Sequence, residues 1–158
     1  MGASLTHLSE ERDIAVPPDV LWRIVSDTKR WPQFYATPHE KLTLRSVEYL
    51  EETTDGPRGK RRMHFLGVPS WDEQVSAWKE NEFLAWTGTR NPGLKYWQQQ
   101  MELIPHKAGY TTLRWDVYFS MNGPRAFNKW FKREMEAIVV SSLERVQKMA
   151  LEEAKARR

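Results

Sequence analysis

From residue 94 to 121, apolar and polar positions alternate with a period of two. Trp97, Met101 and Leu103 stand against Gln98, Gln100 and Glu102, then Leu113, Trp115, Val117 and Phe119 against Thr112, Arg114, Asp116 and Tyr118. A period of two predicts two strands of a hairpin, with the turn at His106 to Gly109. Upstream, residues 41–58 form another strand, closed by Asp55-Gly56-Pro57, a strong turn signal. Residues 59–90 divide into three more strands, with breaks at Gly67 to Ser70 and Lys79 to Glu82. A first strand is predicted over 5–15. After it, "VPPD" opens a helix whose Val20, Leu21, Ile24 and Val25 recur at helical spacing. Pro32 is expected to turn Trp31 out of helical geometry, with a second short helical turn over 32–35. From Pro124 to about Glu153 there is no further Gly or Pro. Phe127, Phe131, Met135, Ile138, Ser142, Val146 and Met149 mark one apolar face of a helix on the order of 45 Å long. One strand, two short helices, six antiparallel strands in succession and a long helix make a single α+β domain over residues 1–158.

Composition narrows the function classes. The chain of 158 residues is 40% hydrophobic and 28% charged, ordinary values for a globular protein. It has no cysteine, which excludes disulfides and thiol chemistry and fits a reducing cytoplasm. No apolar run reaches membrane-spanning length. The opening "MGASLTHLSEERD" lacks a secretory pattern, and its Met-Gly start has no accompanying basic run to suggest a lipid anchor. The formal charge is +3 and the sequence pI about 9.2. Basic residues cluster only at "GKRR" (59–62) and "KARR" (155–158), so no nucleic-acid partner is expected. Eight tryptophans are the unusual feature, since aromatic rings dominate both cores and ligand sites. Oligomeric state is left open.

The segment "IAVPPDVLWRIVSDTKRWPQF" carries a resemblance. Ile14, Ala15 to Pro18, Leu21-Trp22, Ile24-Val25, Asp27, Trp31-Pro32 and Phe34 are similar to the opening pattern of the START/Bet v 1-like (SRPBCC) superfamily, polyketide cyclase/dehydrase-like group. "WDEQVSAW", "MELIPHKAGYTTLRW" and the closing helix fall where that family places them. The resemblance spans nearly the whole chain. It implies a helix-grip fold, a curved antiparallel sheet of about seven strands wrapped around the long C-terminal helix, with an apolar cavity between. Fold does not transmit chemistry, and the superfamily includes carriers, cyclases and interaction domains.

On that frame Trp97, Gln99, Met101 and Leu103 turn inward. A buried amide without a partner costs roughly 1–3 kcal/mol, so Gln99 is expected to bond either an inward polar group or water, or the polar end of a ligand. Met63, Phe65, Trp86 and Trp115 from the sheet, with Phe131, Met135 and Ile138 from the closing helix, are the other wall candidates. Phe34 and Tyr35 fall on the loop expected to rim the cavity. Glu10 and Arg12 alternate with Leu8 and Ile14 on the first strand, and either pair at the cavity's end or reach water. Catalysis has thin support. The histidines at 7, 39, 64 and 106 are scattered, so no metal site is predicted, and no nucleophile elbow or phosphate loop is present. Arg61, His64 and Tyr35 are the residues a cyclase could use, although Arg61 and Arg62 are expected to be solvated. The expectation is a binder of a small hydrophobic molecule, lipid-, polyketide- or isoprenoid-like, without a cofactor. A cyclase or dehydratase using the same cavity, and an interaction domain with a large partner, are the alternatives.

Overall fold

The alternating segments pair into one antiparallel sheet because each is apolar on one face only. In the computed structural model, which describes residues 5–37 and 39–158, the strands are β1 (Thr6–Ile14), β2 (Leu44–Tyr49), β3 (Lys60–Phe65), β4 (Trp71–Lys79), β5 (Phe83–Arg90), β6 (Leu94–Pro105) and β7 (Thr111–Met121). The Met1-Gly2 start weighed above for an anchor lies outside the described residues. The sheet order is β1-β7-β6-β5-β4-β3-β2. β2 to β7 form a meander, and β1 joins it along β7 from Thr6↔Phe119 to Ile14↔Thr111.

Between β1 and β2 the chain crosses the inner side of the sheet through α1 (Pro18–Val25) and α2 (Trp31–Phe34). Pro18 begins α1, where a missing N–H costs nothing. Trp31 keeps right-handed helical geometry, contrary to the expectation from Pro32, because Pro32 sits in the first turn of α2. The long helix α3 (Arg125–Ala156) packs on β1, β7 and α1. Its buried residues are Phe131, Met135, Ile138, Val139, Ser142, Leu143, Val146 and Ala150. Phe127, expected on this stripe, is exposed instead. This is the helix-grip fold that the resemblance implies.

Local details aim the inner side chains. A bulge between Val75 and Ala77 shifts the alternation of β4 by one residue, so Trp78 as well as Val75 faces inward. Trp78 then meets Trp22 of α1 edge-on at 5.1 Å. Gly88 lies opposite Glu73, and a Cβ there would stand 1.8 Å from Asn91 Oδ1 and 3.0 Å from Trp97 Cβ. Only glycine permits that approach. No helix among the described residues is long and apolar enough to cross a membrane.

Candidate functional site

The inner face of the sheet carries a buried ion pair that the sequence did not announce. Arg61 and Glu73 are direct cross-strand partners on β3 and β4, and their exposures are 2% and 1%. Arg61 Nε donates to Glu73 Oε1 at 3.1 Å, and Nη2 lies 3.0 Å from the same oxygen. Glu73 Oε2 accepts from Trp97 Nε1 and from Gln99 Nε2, each at 2.7 Å. Gln99 Oε1 in turn accepts from Trp115 Nε1 at 3.2 Å. The guanidinium carbon lies 4.1 Å from the centroids of both the Trp31 and the Trp86 rings, in the angle these two edge-to-face rings make, a double cation–π contact in a desolvated place. Burial lowers the Arg61 pKa from its ordinary value, while the Glu73 charge and hydrogen bond oppose that shift.

This arrangement resolves the face of β3. Arg61 and Met63 point inward and are buried, with Phe65 on the same side and half-buried. Arg61 is therefore not solvated as expected, because Glu73 stands opposite it to take its charge. His64 points outward, with Nε2 3.1 Å from Glu48 Oε1. Gln99 is inward and buried, and its partners are protein groups: one amide hydrogen and the carbonyl are committed to Glu73 and Trp115.

Trp31 fills the space over this centre. Its indole N–H donates to the Val25 carbonyl at 2.9 Å. Its ring stands 4.9 Å from Trp86, 5.5 Å from Trp115 and 5.1 Å from Phe34. Phe34, expected at a rim, is fully buried beneath this cluster. Tyr35 follows it, with its ring 6.2 Å from Phe65 and 6.5 Å from Trp115. Among the described residues its hydroxyl has no hydrogen-bond partner. Burial first, then the Glu73 charge, raises its pKa well above the ordinary phenol range, against an opposing effect of Arg61. The hydroxyl is thus a committed donor, not a base. The Ala36 N–H donates to Ser142 Oγ on α3 at 2.9 Å and fixes this segment against the helix.

The second half of the inner face gathers on Phe131 of α3. Its ring is 4.8 Å from Phe119, 6.0 Å from Trp71 and 6.2 Å from Trp97, and Trp71 meets Phe65 at 5.5 Å. Met101, Met135 and Ile138 are buried on the facing surfaces of sheet and helix. The predicted wall is thus divided: Trp86, Trp115 and Phe34 lie under Trp31, and Phe65 and Trp97 lie around Phe131. Trp31, Trp71, Glu73 and the inward Arg61 were missed as site residues. Only the alternation of Arg61 with Met63 in "KRRMHF" could have signalled the last.

At the sheet's edge Arg12 Nη1 donates to Gln147 Oε1 of α3 at 3.0 Å, and Nη2 lies 3.8 Å from Glu144. Arg12 therefore pairs with the helix, not with Glu10. On the outer face Asp72 is clamped by Arg62 and Arg90, at 2.7 and 3.0 Å to their Nε atoms, and these hydrogen bonds hold its pKa down to about 2. No group of three or more potential ligands with metal-site geometry occurs among the described residues.

Comparison with solved structures supports the fold. The Zhui aromatase/cyclase from Streptomyces sp. R1128 aligns over 98% of this chain and 96% of its own, with 17% identity and a TM-score of 0.71. A START superfamily protein from Mycobacterium smegmatis aligns over 90% and 98%, with 17% identity and a TM-score of 0.71. A norcoclaurine synthase point mutant from Thalictrum flavum, in complex with a transition-state analogue, aligns over 98% and 99%, with 12% identity and a TM-score of 0.74. At such identities the likeness is one of fold. No curated protein matches the sequence. The family model described as polyketide cyclase / dehydrase and lipid transport, however, matches residues 6–157, from the first strand to the end of the grip helix, and the chain belongs to that family.

Proposed function

We propose that the protein binds a small, mainly apolar molecule between the sheet and α3, in the half of the interior gathered on Phe131. The observation that carries this reading is the contrast between the two halves. Around Trp31 the polar centre of Arg61, Glu73 and Gln99 is occupied by its own partners. Around Phe131 the facing side chains are apolar or aromatic: Phe119 at 4.8 Å, Trp71 at 6.0 Å and Trp97 at 6.2 Å between centroids, with Met101, Met135 and Ile138 buried nearby. With no charged side chain among these facing groups, an apolar guest can enter this half without stranding a buried charge. Burial of apolar surface there supplies affinity, and one polar contact sets orientation. Tyr35 is that contact, donating to a carbonyl or hydroxyl of the ligand. Phe65, Trp97, Met101, Met135 and Ile138 are the apolar contacts.

A cyclase-type reaction in the same space is the second reading, favoured by Tyr35 with Arg61 and Glu73 as its charged neighbours. With its pKa raised, Tyr35 would keep its proton and polarise a carbonyl by donating a hydrogen bond, and a base would have to come from the substrate or from water.

Native mass spectrometry of the purified protein, followed by organic extraction, tests the proposal. A discrete co-purifying apolar molecule that Tyr35→Phe holds at least tenfold more weakly, with unchanged thermal stability, is the expected result. Equal retention by Tyr35→Phe would remove Tyr35 from the site. A wild-type protein that binds no member of an apolar ligand panel would overturn the reading itself.

A further inference from the structure

The first two turns of α3 are built against the usual rule for a helix start. No acidic side chain lies in the first turn and no side chain caps it. Instead Arg125, Lys129, Lys132 and Arg133 follow one another, and the chain contains no Asp or Glu between Asp116 and Glu134. Cations at this end oppose the helix dipole, so the helix itself gains nothing from them. Among the described residues, Arg125, Lys129 and Arg133 form no salt bridge, and Lys132 makes only a 3.7 Å contact with Glu136.

The same two turns expose large apolar rings. Phe127 is 51% exposed and Trp130 is 41% exposed. With Met121 they line an apolar hollow of about 580 Å³. A second hollow of about 370 Å³ is lined by Thr6, Arg125, Asn128, Lys129 and Lys132. At about 100° per residue the four cations fall within one arc of the helix of about 100°, and Phe127, Trp130 and Phe131 within another on the opposite side. Phe131 turns into the core, leaving Phe127 and Trp130 at the surface beside the cationic arc. Asn128 Oδ1 accepts from the Met121 N–H at 3.0 Å, and Gly93 O accepts from the Asn122 N–H at 3.0 Å. These bonds tie the patch to the ends of β6 and β7 and make it a fixed surface.

We propose that this end of α3 is a docking surface for an anionic lipid bilayer. A bilayer interface offers both things the patch lacks. Its phosphate layer is a negative surface for Arg125, Lys129, Lys132 and Arg133. Its acyl boundary accommodates Phe127 and Trp130, and tryptophan favours that depth. The segregation of cations and rings onto two sides of one short helical stretch matches a planar interface that is charged outside and apolar inside. A soluble acidic partner explains the cations and leaves both exposed rings unused. Trp130 also adjoins Phe131, at 6.4 Å between centroids, so the patch is continuous with the aromatic inner face. The docking surface stands on its own observations and requires no particular interior ligand.

The test is co-sedimentation of the full chain with vesicles of phosphatidylcholine, alone or with phosphatidylglycerol, across a salt series. Poly-glutamate serves as an anion without an apolar layer. Binding is expected to the anionic vesicles and to fall steeply with salt. Each of Arg125→Gln, Lys129→Gln and Arg133→Gln should weaken it about fivefold. Phe127→Ser/Trp130→Ser should abolish it at every salt concentration, and because both rings are exposed the thermal midpoint should stay within a few degrees. No binding to anionic vesicles, equal binding to neutral ones, or full binding by the doubly substituted protein would each overturn the proposal. So would equal affinity for poly-glutamate that ignores the two rings.

Discussion

Replacing Arg61 by Met removes the cation from a buried pair and keeps a chain of similar length between Trp31 and Trp86. Glu73 is then left 1% exposed, with the Trp97 and Gln99 donors but without an opposite charge. Breaking a buried pair from one side costs about 3–5 kcal/mol, mostly because the remaining charge is stranded. A folded chain of 158 residues has an unfolding entropy of about 0.33 kcal/mol/K, so Arg61→Met should lower the Tm by about 9–15 °C. Glu73→Gln strands the guanidinium in the same way and should cost a comparable amount. The double variant, Arg61→Met with Glu73→Gln, has no buried charge. Its new carboxamide oxygen can still accept from Trp97 and Gln99. It should lie within about 2 kcal/mol of the parent, since uncharged replacements of buried pairs are often neutral. Urea unfolding of the four proteins closes a double-mutant cycle, in which a coupling of at least about 2 kcal/mol is expected. Additive losses would refute the reasoning, for they would mean that the two charges do not depend on each other.

Three further outcomes follow from single contacts. Gln99→Leu should destabilise by about 1–3 kcal/mol in thermal unfolding, because it removes the acceptor of Trp115 Nε1 and one donor to Glu73; an unchanged or raised midpoint would mean that the amide's partners lie elsewhere. Gly88→Ala should cost about 1–3 kcal/mol, since its Cβ would stand 1.8 Å from Asn91 Oδ1, and urea unfolding would measure it. The pKa of Asp72 is lowered from 3.8 to about 2, so its contribution is complete above pH 3.8 and is lost as pH falls toward 2. That contribution is at most about 2 kcal/mol, reduced by the part-exposed arginines, and Asp72→Asn should flatten the decline in Tm between about pH 4 and 2.

The fold was legible because its signals are local and mutually consistent. Period-two alternation set β6 and β7 with their inner faces, Asp55-Gly56-Pro57 closed a hairpin, and the uninterrupted stretch after Pro124 set α3. The polar centre was less legible because it is made by pairing. Arg61 is one of two adjacent arginines at the start of a strand, and only its position opposite Glu73 makes it a core residue. Arg62, the next residue, meets Asp72 on the outer face by the same cross-strand logic. Periodicity along one strand cannot assign such a pair when both faces carry charge. Trp31 was hidden for a different reason: a four-residue helix with Pro32 in its first turn gives no period by which to tell which ring enters the core. Gln99 was correctly read as inward, but its partners sit on β4 and β7, far away in sequence.

The division of the interior follows from these long-range pairings. Trp31 reaches the centre because α1 presents the Val25 carbonyl to its indole N–H and Arg61 presents a cation to its face. With Trp31 in place, the part of the sheet around Trp86 and Trp115 is covered from α2, while α3 packs on β1, β7 and α1 and reaches Trp71 and Trp97 through Phe131. What remains between α3 and the sheet is bounded by apolar groups, Phe131 on the helix facing Phe119, Trp71 and Trp97, with Met101, Met135 and Ile138 around them. A charge in that second half would have no partner, whereas the first half already holds two that neutralise each other. The ion pair and the proposed ligand space are therefore complementary. Placing Arg61 and Glu73 beneath Trp31 keeps the remaining cover apolar, and in the proposed function the Tyr35 hydroxyl is the donor that meets a guest.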